Sequence, residues 1–232
     1  MLNNNWFISD LHINHDWQNQ EGQKRGVIYF ERTKFQTIEE HDNFIFNSLF
    51  KWAEKHKEET LWILGDFGDI TALNRIKEMR EKFSIKVNFV KGNHDSFNSK
   101  NKEKFIDAFD EVYDYPVFIS GRVVLSHEPL YPLPEGVINI HGHLHGAKLD
   151  SEKHLCVSAH VINYNPISWK SVSKILSKIP KANYKFLLEP YRELYQFTQP
   201  KEDVVYDFKT GKIKLKESIE KYNEIYNKEI QY

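Results

Sequence analysis

Five short motifs along the chain supply carboxylate, imidazole and amide groups in numbers that suit two divalent metal ions. A carboxylate can bridge two cations about 3.5–4 Å apart, and neutral imidazoles bind transition metals without cancelling their charge. Two metal ions held in this way polarise phosphoryl oxygens and lower the pKa of a bound water towards about 7. The motifs therefore predict hydrolysis of a phosphate ester. They are Asp10-Leu11-His12, Gly65-Asp66-Phe67-Gly68-Asp69, Gly92-Asn93-His94-Asp95, Ser126-His127 and His141-Gly142-His143-Leu144-His145-Gly146.

Each motif follows a hydrophobic run that is typical of a strand covered on both faces. Open α/β sheets place their ligands at the carboxyl ends of the strands, so residues far apart in sequence are expected to meet at one edge. His143 and His145 are two positions apart, which in an extended segment puts both imidazoles on one face. Each imidazole can then reach a different metal ion. The runs are residues 6–9, 60–64, 85–90, 123–125 and 137–140.

In order and approximate spacing, the five motifs resemble those of the calcineurin-like metallophosphoesterase superfamily over residues 6–146. The resemblance implies two divalent ions; Mn²⁺ is the expected ion, with iron, nickel or zinc as alternatives that the same nitrogen and oxygen ligands accept. The ligands it implies are Asp10, His12 and His145 for the first ion, Asn93, His127 and His143 for the second ion, and Asp66 as the bridge.

The same resemblance gives roles to residues beside the ions. His94 matches a catalytic histidine that stabilises the phosphoryl group or protonates the leaving oxygen. Asp69 matches a carboxylate that orients and charges this histidine. Ile70 stands where the phosphoprotein phosphatases of the superfamily carry an arginine, so a bidentate clamp on a terminal phosphate is missing at that position.

A closer resemblance links the chain to a small single-domain phosphoesterase branch from bacteria and their phages. It is carried by residues 7–15, by Ser126-His127-Glu128-Pro129 and by Asn165-Pro166-Ile167-Ser168. His94 also argues against the lipid A precursor hydrolases of the superfamily, because these have an arginine at that position.

Three further residues are candidates for substrate binding. Arg25 and Arg32 lie in a polar insertion, residues 16–36, which follows the first motif and can form part of the substrate rim. For either arginine alone, a place in a solvated loop is the competing interpretation. His15 lies three residues after His12 and is a candidate for contact with the substrate or for support of a ligand.

Strand and helix patterns alternate through residue 95, which predicts α/β layering. The residues 37–40 form a capping-box pattern that opens a helix ending near residue 56, and two more helices are expected at 72–82 and 102–109. Residues 120–122 predict a hairpin turn. With the resemblance, these patterns predict a four-layer α/β/β/α sandwich of two mixed sheets flanked by helices.

The chain is expected to form a metallophosphoesterase domain, residues 1–168, and a C-terminal helical and β extension, residues 169–232, packed on the same domain. Within the extension, a strand pair is expected at 204–208 and 213–215, and a helix at 219–230.

Composition narrows the setting and the partners. The 232 residues include 32 basic and 33 acidic side chains, and this balance does not favour a nucleic-acid binder. A single cysteine, Cys156, excludes an internal disulfide, and no apolar run approaches the length of a membrane span. A cytoplasmic monomer or homodimer without membrane contact is expected. Its partner is expected to be a small-molecule phosphate ester, with nucleotides among the candidates.

The sequence therefore predicts a dinuclear metal-dependent phosphoesterase that hydrolyses a phosphodiester or a small phosphomonoester by attack of a metal-bound hydroxide. One alternative is a DNA or RNA nuclease of the same superfamily. The other is a non-catalytic interaction scaffold, which the filled ligand positions and His94 disfavour.

Overall fold

The computed structural model describes residues 2–18, 20–96, 100–146 and 151–179. Two mixed sheets, a short hairpin and five α-helices form these parts of the chain. The strands are β1 (Asn5–Ile8), β2 (Asp16–Gln18), β3 (Lys24–Gly26), β4 (Thr60–Leu64), β5 (Lys86–Val90), β6 (Glu111–Tyr113), β7 (Val117–Ser120), β8 (Val123–Leu125), β9 (Ile138–His141), β10 (His154–Cys156) and β11 (Ile167–Ser168). The helices are α1 (Val27–Phe30), α2 (Ile38–Lys55), α3 (Leu73–Phe83), α4 (Lys102–Ala108) and α5 (Trp169–Leu176).

The first sheet has the strand order β11-β1-β4-β5-β6. Strands β1, β4, β5 and β6 are parallel, and β11 pairs with β1 in the antiparallel sense. Buried residues of this sheet, such as Ile63 and Phe89, join Leu49 of α2, Ile76 of α3 and Phe105 of α4 in one hydrophobic cluster. The apolar run of β4 fits a strand covered on both faces.

The second sheet has the strand order β10-β9-β8-β7, with β7 antiparallel and the other three strands parallel. A second hydrophobic cluster joins Phe7 and Leu64 of the first sheet to Leu125 and Ile140 of the second, and Val172 of α5 belongs to it. The prediction of an α/β fold with two mixed sheets flanked by helices is confirmed. Among the described residues, α5 is the helix that contributes to this second cluster.

The predicted helices form close to their expected bounds. Thr37 is the N-cap of α2, which begins at Ile38. The hydroxyl of Thr37 accepts a hydrogen bond from the backbone N–H of Glu40 at 3.1 Å. This is one half of the predicted capping box, and it satisfies a backbone donor that a helix start leaves without a partner. The hairpin turn expected at 120–122 joins β7 to β8.

The described residues of the polar insertion, 16–18 and 20–36, are folded. Strands β2 and β3 pair as an antiparallel hairpin, and α1 follows directly. Val27 and Ile28 of α1 are buried in the first hydrophobic cluster. The segment is therefore anchored to the core close to the first motif.

The start of the predicted extension belongs to the same fold. Strand β11 pairs with β1, and α5 follows it with the side chain of Ser168 as its N-cap. The strand pair and the last helix expected after residue 200 lie outside the described residues. The division at residues 168 and 169 stays a prediction. Among the described helices, none combines the length and apolar character that a membrane span requires.

Candidate metal centre

The loops that follow the strands converge at one edge of the two sheets. The backbone N–H of Asp10 donates to the carbonyl of Gly65 at 3.0 Å, and the N–H of Gly142 donates to the carbonyl of His127 at 2.9 Å. The N–H of His143 donates to both carboxylate oxygens of Asp10 at 3.1 Å. Motifs that are up to 133 residues apart in sequence are therefore in direct contact.

Four of the predicted ligands form a first ligand cluster: Asp10, His12, Asp66 and His145. The Nε2 atoms of His12 and His145 are 3.2 Å apart. The Nε2 atom of His12 lies 3.6 Å from Oδ2 of Asp66, and Nε2 of His145 lies 3.7 Å from Oδ1 of Asp10. Two imidazole nitrogens and two carboxylates therefore face one small space.

A second ligand cluster consists of Asn93, His127, His143 and the same Asp66. The Nε2 atom of His127 lies 2.9 Å from Oδ1 of Asn93 and 3.3 Å from Oδ2 of Asp66. The Nδ1 atom of His143 lies 3.0 Å from Oδ1 of Asn93. Oδ2 of Asp66 thus faces both clusters, as a bridging ligand must.

The donor atoms of both clusters fit divalent cations. Asp10 and Asp66 are buried carboxylates, and buried charges require compensation by opposite charge or by metal coordination. Groups of His, Asp and Glu side chains with ligand atoms within 4.8 Å of one another include Asp10 with His12 and His145, and Asp10 with Asp66 and His127. Nitrogen and carboxylate ligands of this kind suit first-row transition metals.

Burial and neighbouring charges shift the pKa values of two predicted histidine ligands in opposite directions. Burial, and then the nearby charge of Arg32, hold the pKa of His12 well below its ordinary value, so its imidazole is neutral. Burial disfavours the charged form of His127, but the hydrogen bond and charge of Asp66 outweigh it and raise the pKa of His127 to about 9. A cation between His127 and Asp66 would take the place of the proton on His127, because a histidine ligand must lose its proton to bind a metal ion.

Five predicted ligands adopt the left-handed backbone conformation that non-glycine residues rarely occupy. Their φ angles are 55° for Asp10, 50° for His12, 50° for Asp66, 66° for His143 and 49° for His145. Such conformations cost free energy and concentrate at functional sites, where the surrounding structure enforces them. Half of the ten described non-glycine residues with positive φ are therefore predicted ligands, which supports a site at this edge.

Two glycines allow the motifs to approach one another closely. A Cβ atom on Gly92 would lie 2.2 Å from Oδ1 of Asp66, and one on Gly142 would lie 2.3 Å from Oδ2 of Asp10. Both distances are shorter than any non-bonded contact allows. Glycine is therefore required at both positions if the two carboxylates are to keep their places.

Asp95 has a role that its sequence motif does not predict. Its buried carboxylate accepts backbone hydrogen bonds from Asp66 at 2.9 Å, Phe67 at 2.8 Å and Gly92 at 2.7 Å. Burial raises the pKa of Asp95 to about 6, while these hydrogen bonds act in the opposite direction. Asp95 thereby ties the loop of the second motif to the loop of the third.

His94 is exposed at the edge of the two clusters. Its ring centroid lies 5.5 Å from that of His12, and its backbone N–H donates to Oδ1 of Asp66 at 2.9 Å. The carboxylate of Asp69 accepts instead from the N–H of Thr71 at 2.6 Å and from the side chain of Asn14 at 3.5 Å. These contacts cap the turn after Asp69, and its predicted orienting effect on His94 stays a prediction.

Of the predicted substrate contacts, His15 stacks its ring on that of His12, with the ring centroids 4.8 Å apart. Arg25 lies on β3 opposite Trp17 and donates to Oε1 of Gln23 at 2.8 Å. Arg32 is not placed at a substrate rim. It is 1% exposed and it donates to the backbone carbonyl of Leu11 at 3.0 Å.

The guanidinium of Arg32 also donates to the carbonyl of Asp10 and lies 2.7 Å from Nε2 of His41. It therefore supports the backbone of the first motif, which corrects the expectation that it contacts phosphate. Two more residues support ligands. The hydroxyl of Ser158 donates to Oδ2 of Asp10 at 2.7 Å, and the carboxylate of Glu31 contacts Nδ1 of His145. Neither residue belongs to a motif, so the sequence offered no local signal for them.

The chain is similar in sequence to two known proteins. The chain is 28% identical over 186 residues to the uncharacterized protein MJ1445 of Methanocaldococcus jannaschii, covering 75% of this chain and 91% of that protein. It is 28% identical over 179 residues to the Gene 66 protein of Mycobacterium phage L5, covering 62% of this chain and 78% of the phage protein.

The family model described as calcineurin-like phosphoesterase matches residues 5–213, a range that contains both ligand clusters. The family predicted from the five motifs is therefore confirmed. This family is one of metal-dependent phosphoesterases, and its requirement for metal agrees with the carboxylates and imidazoles gathered at the sheet edge. The chain belongs to the calcineurin-like phosphoesterase family.

Proposed function

We propose that the protein is a dinuclear metal-dependent phosphoesterase and that its preferred substrate is a phosphodiester. The observation that carries this proposal is the position of Asp66, whose Oδ2 lies 3.6 Å from Nε2 of His12 and 3.3 Å from Nε2 of His127. One carboxylate oxygen thus serves two ligand clusters, as in sites that hold two ions about 3.5–4 Å apart.

Mn²⁺ is the proposed ion in both clusters, and iron, nickel and zinc suit the same ligand atoms. Asp10, His12 and His145 would hold the first ion, and Asn93, His127 and His143 would hold the second, with Asp66 between them. When bound, the two ions would polarise the phosphoryl oxygens and acidify a water molecule.

His94 is the proposed general acid or electrostatic stabiliser. Its exposed ring lies beside the first ligand cluster, where it can reach the phosphoryl group or the leaving oxygen of a bound ester. The hydrogen bond from its backbone N–H to Asp66 fixes its main chain relative to the bridging carboxylate. Proton transfer by a side chain placed in this way contributes about 10²–10⁴-fold to a reaction rate.

The preference for a diester follows from the residues at positions 32 and 70. A phosphomonoester carries a terminal phosphate with two negative charges, which a bidentate guanidinium binds well. Ile70 occupies the position where the phosphoprotein phosphatases carry such an arginine, and the guanidinium of Arg32 is buried against backbone carbonyls. Neither position offers a clamp for a terminal phosphate.

Turnover of bis-p-nitrophenyl phosphate and p-nitrophenyl phosphate in the presence of Mn²⁺ tests the proposal. We expect hydrolysis of both esters with a higher kcat/KM for the diester. Asp66→Asn should lose metal and activity together, because an amide nitrogen replaces one carboxylate oxygen and the negative charge is lost. The absence of turnover with any divalent ion, on either ester or on nucleotides, would rule the proposal out.

One observation favours a nucleotide or nucleic acid as the natural ester. Trp17 is 51% exposed on the hairpin that follows His15, and Arg25 is its cross-strand partner. An aromatic ring next to a guanidinium is a suitable surface for stacking a base. Trp17→Ala should then raise KM for a nucleotide diester without changing KM for the p-nitrophenyl diester.

A nuclease is the extreme form of this alternative. It would show binding to DNA or RNA that weakens steeply with salt, because counterions are released from phosphates. The nearly equal numbers of basic and acidic residues argue against it. A non-catalytic scaffold would bind a protein partner without hydrolysing any ester, and the intact ligand clusters argue against that function.

The proposed setting is the cytoplasm, and the proposed partner is a small-molecule phosphate ester that meets a monomer or a homodimer. A single cysteine fits a reducing compartment.

A further inference from the structure

The imidazole of His145 is contacted at both ring nitrogens. Its Nε2 atom faces the first ligand cluster, 3.2 Å from Nε2 of His12 and 3.7 Å from Oδ1 of Asp10. On the opposite side of the ring, Nδ1 contacts the carboxylate of Glu31. A neutral imidazole carries one proton, so the nitrogen that binds a metal ion must be the one without it. The two groups lie within ion-pair distance, although their geometry is not that of a hydrogen bond. A carboxylate beside Nδ1 favours the tautomer that carries the proton there and leaves Nε2 free for the ion.

We propose that Glu31 is a positioning residue for the first metal ion, which it serves through His145. This inference rests on the proposed function, since it assumes that the first ligand cluster holds an ion. A carboxylate behind a metal-binding imidazole fixes the tautomer and the ring orientation, and it raises the basicity of the ligand. The contact therefore has a specific chemical effect on metal affinity.

The position of Glu31 in the fold supports this role. Glu31 directly follows α1, which is anchored to the core, and its neighbour Arg32 donates to the backbone carbonyl of Asp10. Two consecutive residues of the insertion thus hold two ligands of the same ion. The insertion, residues 16–36, braces the first ligand cluster in addition to any contact that its hairpin makes with substrate.

The effect of Glu31 should appear in metal affinity and not in folding. The side chain of Glu31 is 40% exposed, and ion pairs at this exposure contribute little to the free energy of unfolding. His145, by contrast, has a left-handed backbone, with φ of 49°, and depends on its neighbours to keep the ring aimed at the ion. Loss of the carboxylate would free the ring to change its tautomer and its orientation.

His160 offers a competing arrangement. Ligand atoms of Glu31, His145 and His160 lie within 4.8 Å of one another, so a third ion at that point would also explain the contact. Such an ion would need Nδ1 of His145 while the first ion binds Nε2, and a neutral imidazole does not offer both nitrogens as acceptors. The tautomer-fixing role requires no such double use of the ring.

Isothermal titration of the metal-free protein with Mn²⁺ tests the proposal, with the wild type, Glu31→Ala and Glu31→Gln compared. We expect two binding steps in the wild type. In Glu31→Ala, one step should weaken about 10–100-fold and the other should stay unchanged. Glu31→Gln keeps an acceptor oxygen and loses the charge. Its loss of Mn²⁺ affinity should therefore be smaller than that of Glu31→Ala and should affect the same binding step.

Matched controls separate a positioning role from a structural one. Glu54→Ala removes an exposed carboxylate on α2 and should leave both binding steps unchanged. Thermal unfolding of the metal-free variants should match that of the wild type. In an Asn93→Ala background, which weakens the second cluster, Glu31→Ala should still reduce the affinity of the remaining step.

Affinities in Glu31→Ala within twofold of the wild type would overturn the proposal. So would a third equivalent of Mn²⁺ that binds the wild type and is lost from the variant. If Glu31→Ala does not fold, Glu31→Gln carries the test, and unchanged binding in that variant is the overturning result. A wild type that binds two ions but hydrolyses no ester would defeat the proposed function and leave the role of Glu31 intact.

Discussion

Replacement of Asp95 by alanine should destabilise the protein much more than the loss of an exposed ion pair. The carboxylate of Asp95 accepts three short backbone hydrogen bonds, with Oδ1 serving Phe67 and Oδ2 serving Asp66 and Gly92. In Asp95→Ala, these three amide donors lose their acceptor. Asp95 itself is 6% exposed, so little water can reach the donors to replace it.

The size of the effect follows from the number of donors. A buried donor left without a partner costs about 1–3 kcal/mol, so three donors set an upper range of about 3–9 kcal/mol. Burial opposes the charged carboxylate, as its pKa of about 6 indicates, and alanine removes that cost. We therefore expect a loss of about 3–5 kcal/mol, a large share of the roughly 5–15 kcal/mol by which domains are stable.

Urea unfolding of the metal-free protein measures this loss. Asp95→Asn keeps one acceptor oxygen, which can serve Asp66 and Gly92, so its loss should be smaller than that of Asp95→Ala. Asp107→Ala is the control, because the Asp107–Lys77 ion pair is exposed and such pairs contribute under about 1 kcal/mol. If Asp95→Ala loses no more stability than Asp107→Ala, the reasoning from unsatisfied donors is wrong.

Two further variants test the site itself. His94→Ala should bind both metal ions with unchanged affinity and lose about 10²–10⁴-fold in kcat, because only proton transfer or phosphoryl stabilisation is removed. Metal analysis and steady-state kinetics measure the two effects, and weakened metal binding would contradict the prediction. Gly92→Ala should lose Mn²⁺ affinity, because its Cβ would lie 2.2 Å from Oδ1 of Asp66 and must displace the bridging carboxylate. Titration with Mn²⁺ measures this loss, and wild-type affinity would show that the loop can shift without moving Asp66.

The sequence predicted the parts of this structure that local patterns encode. Mainly apolar runs identified the parallel strands, because strands covered on both faces carry mostly apolar side chains. The motifs that follow these runs identified both ligand clusters, because the strand ends meet at one edge. The half of the capping box at Thr37 and the hairpin at 120–122 also depend on adjacent residues alone.

Contacts between distant segments of the chain could not be predicted from the sequence. Glu31 meets His145 across more than a hundred residues, and no local spacing marks that contact. Arg32 was expected at the substrate rim because it lies in a polar insertion that follows the first motif. Its burial is compensated by the carbonyls of Leu11 and Asp10, which only the folded chain brings to it. The role of Asp95 likewise depends on two loops from different strands.

The most direct measurement is anomalous diffraction from a crystal of the protein loaded with Mn²⁺. Two anomalous peaks about 3.5–4 Å apart are expected, with the carboxylate of Asp66 in contact with both. One peak should contact Asp10, His12 and His145, and the other should contact Asn93 and the two remaining histidines of the second cluster. A single peak, or two peaks that do not share Asp66, would contradict the dinuclear centre.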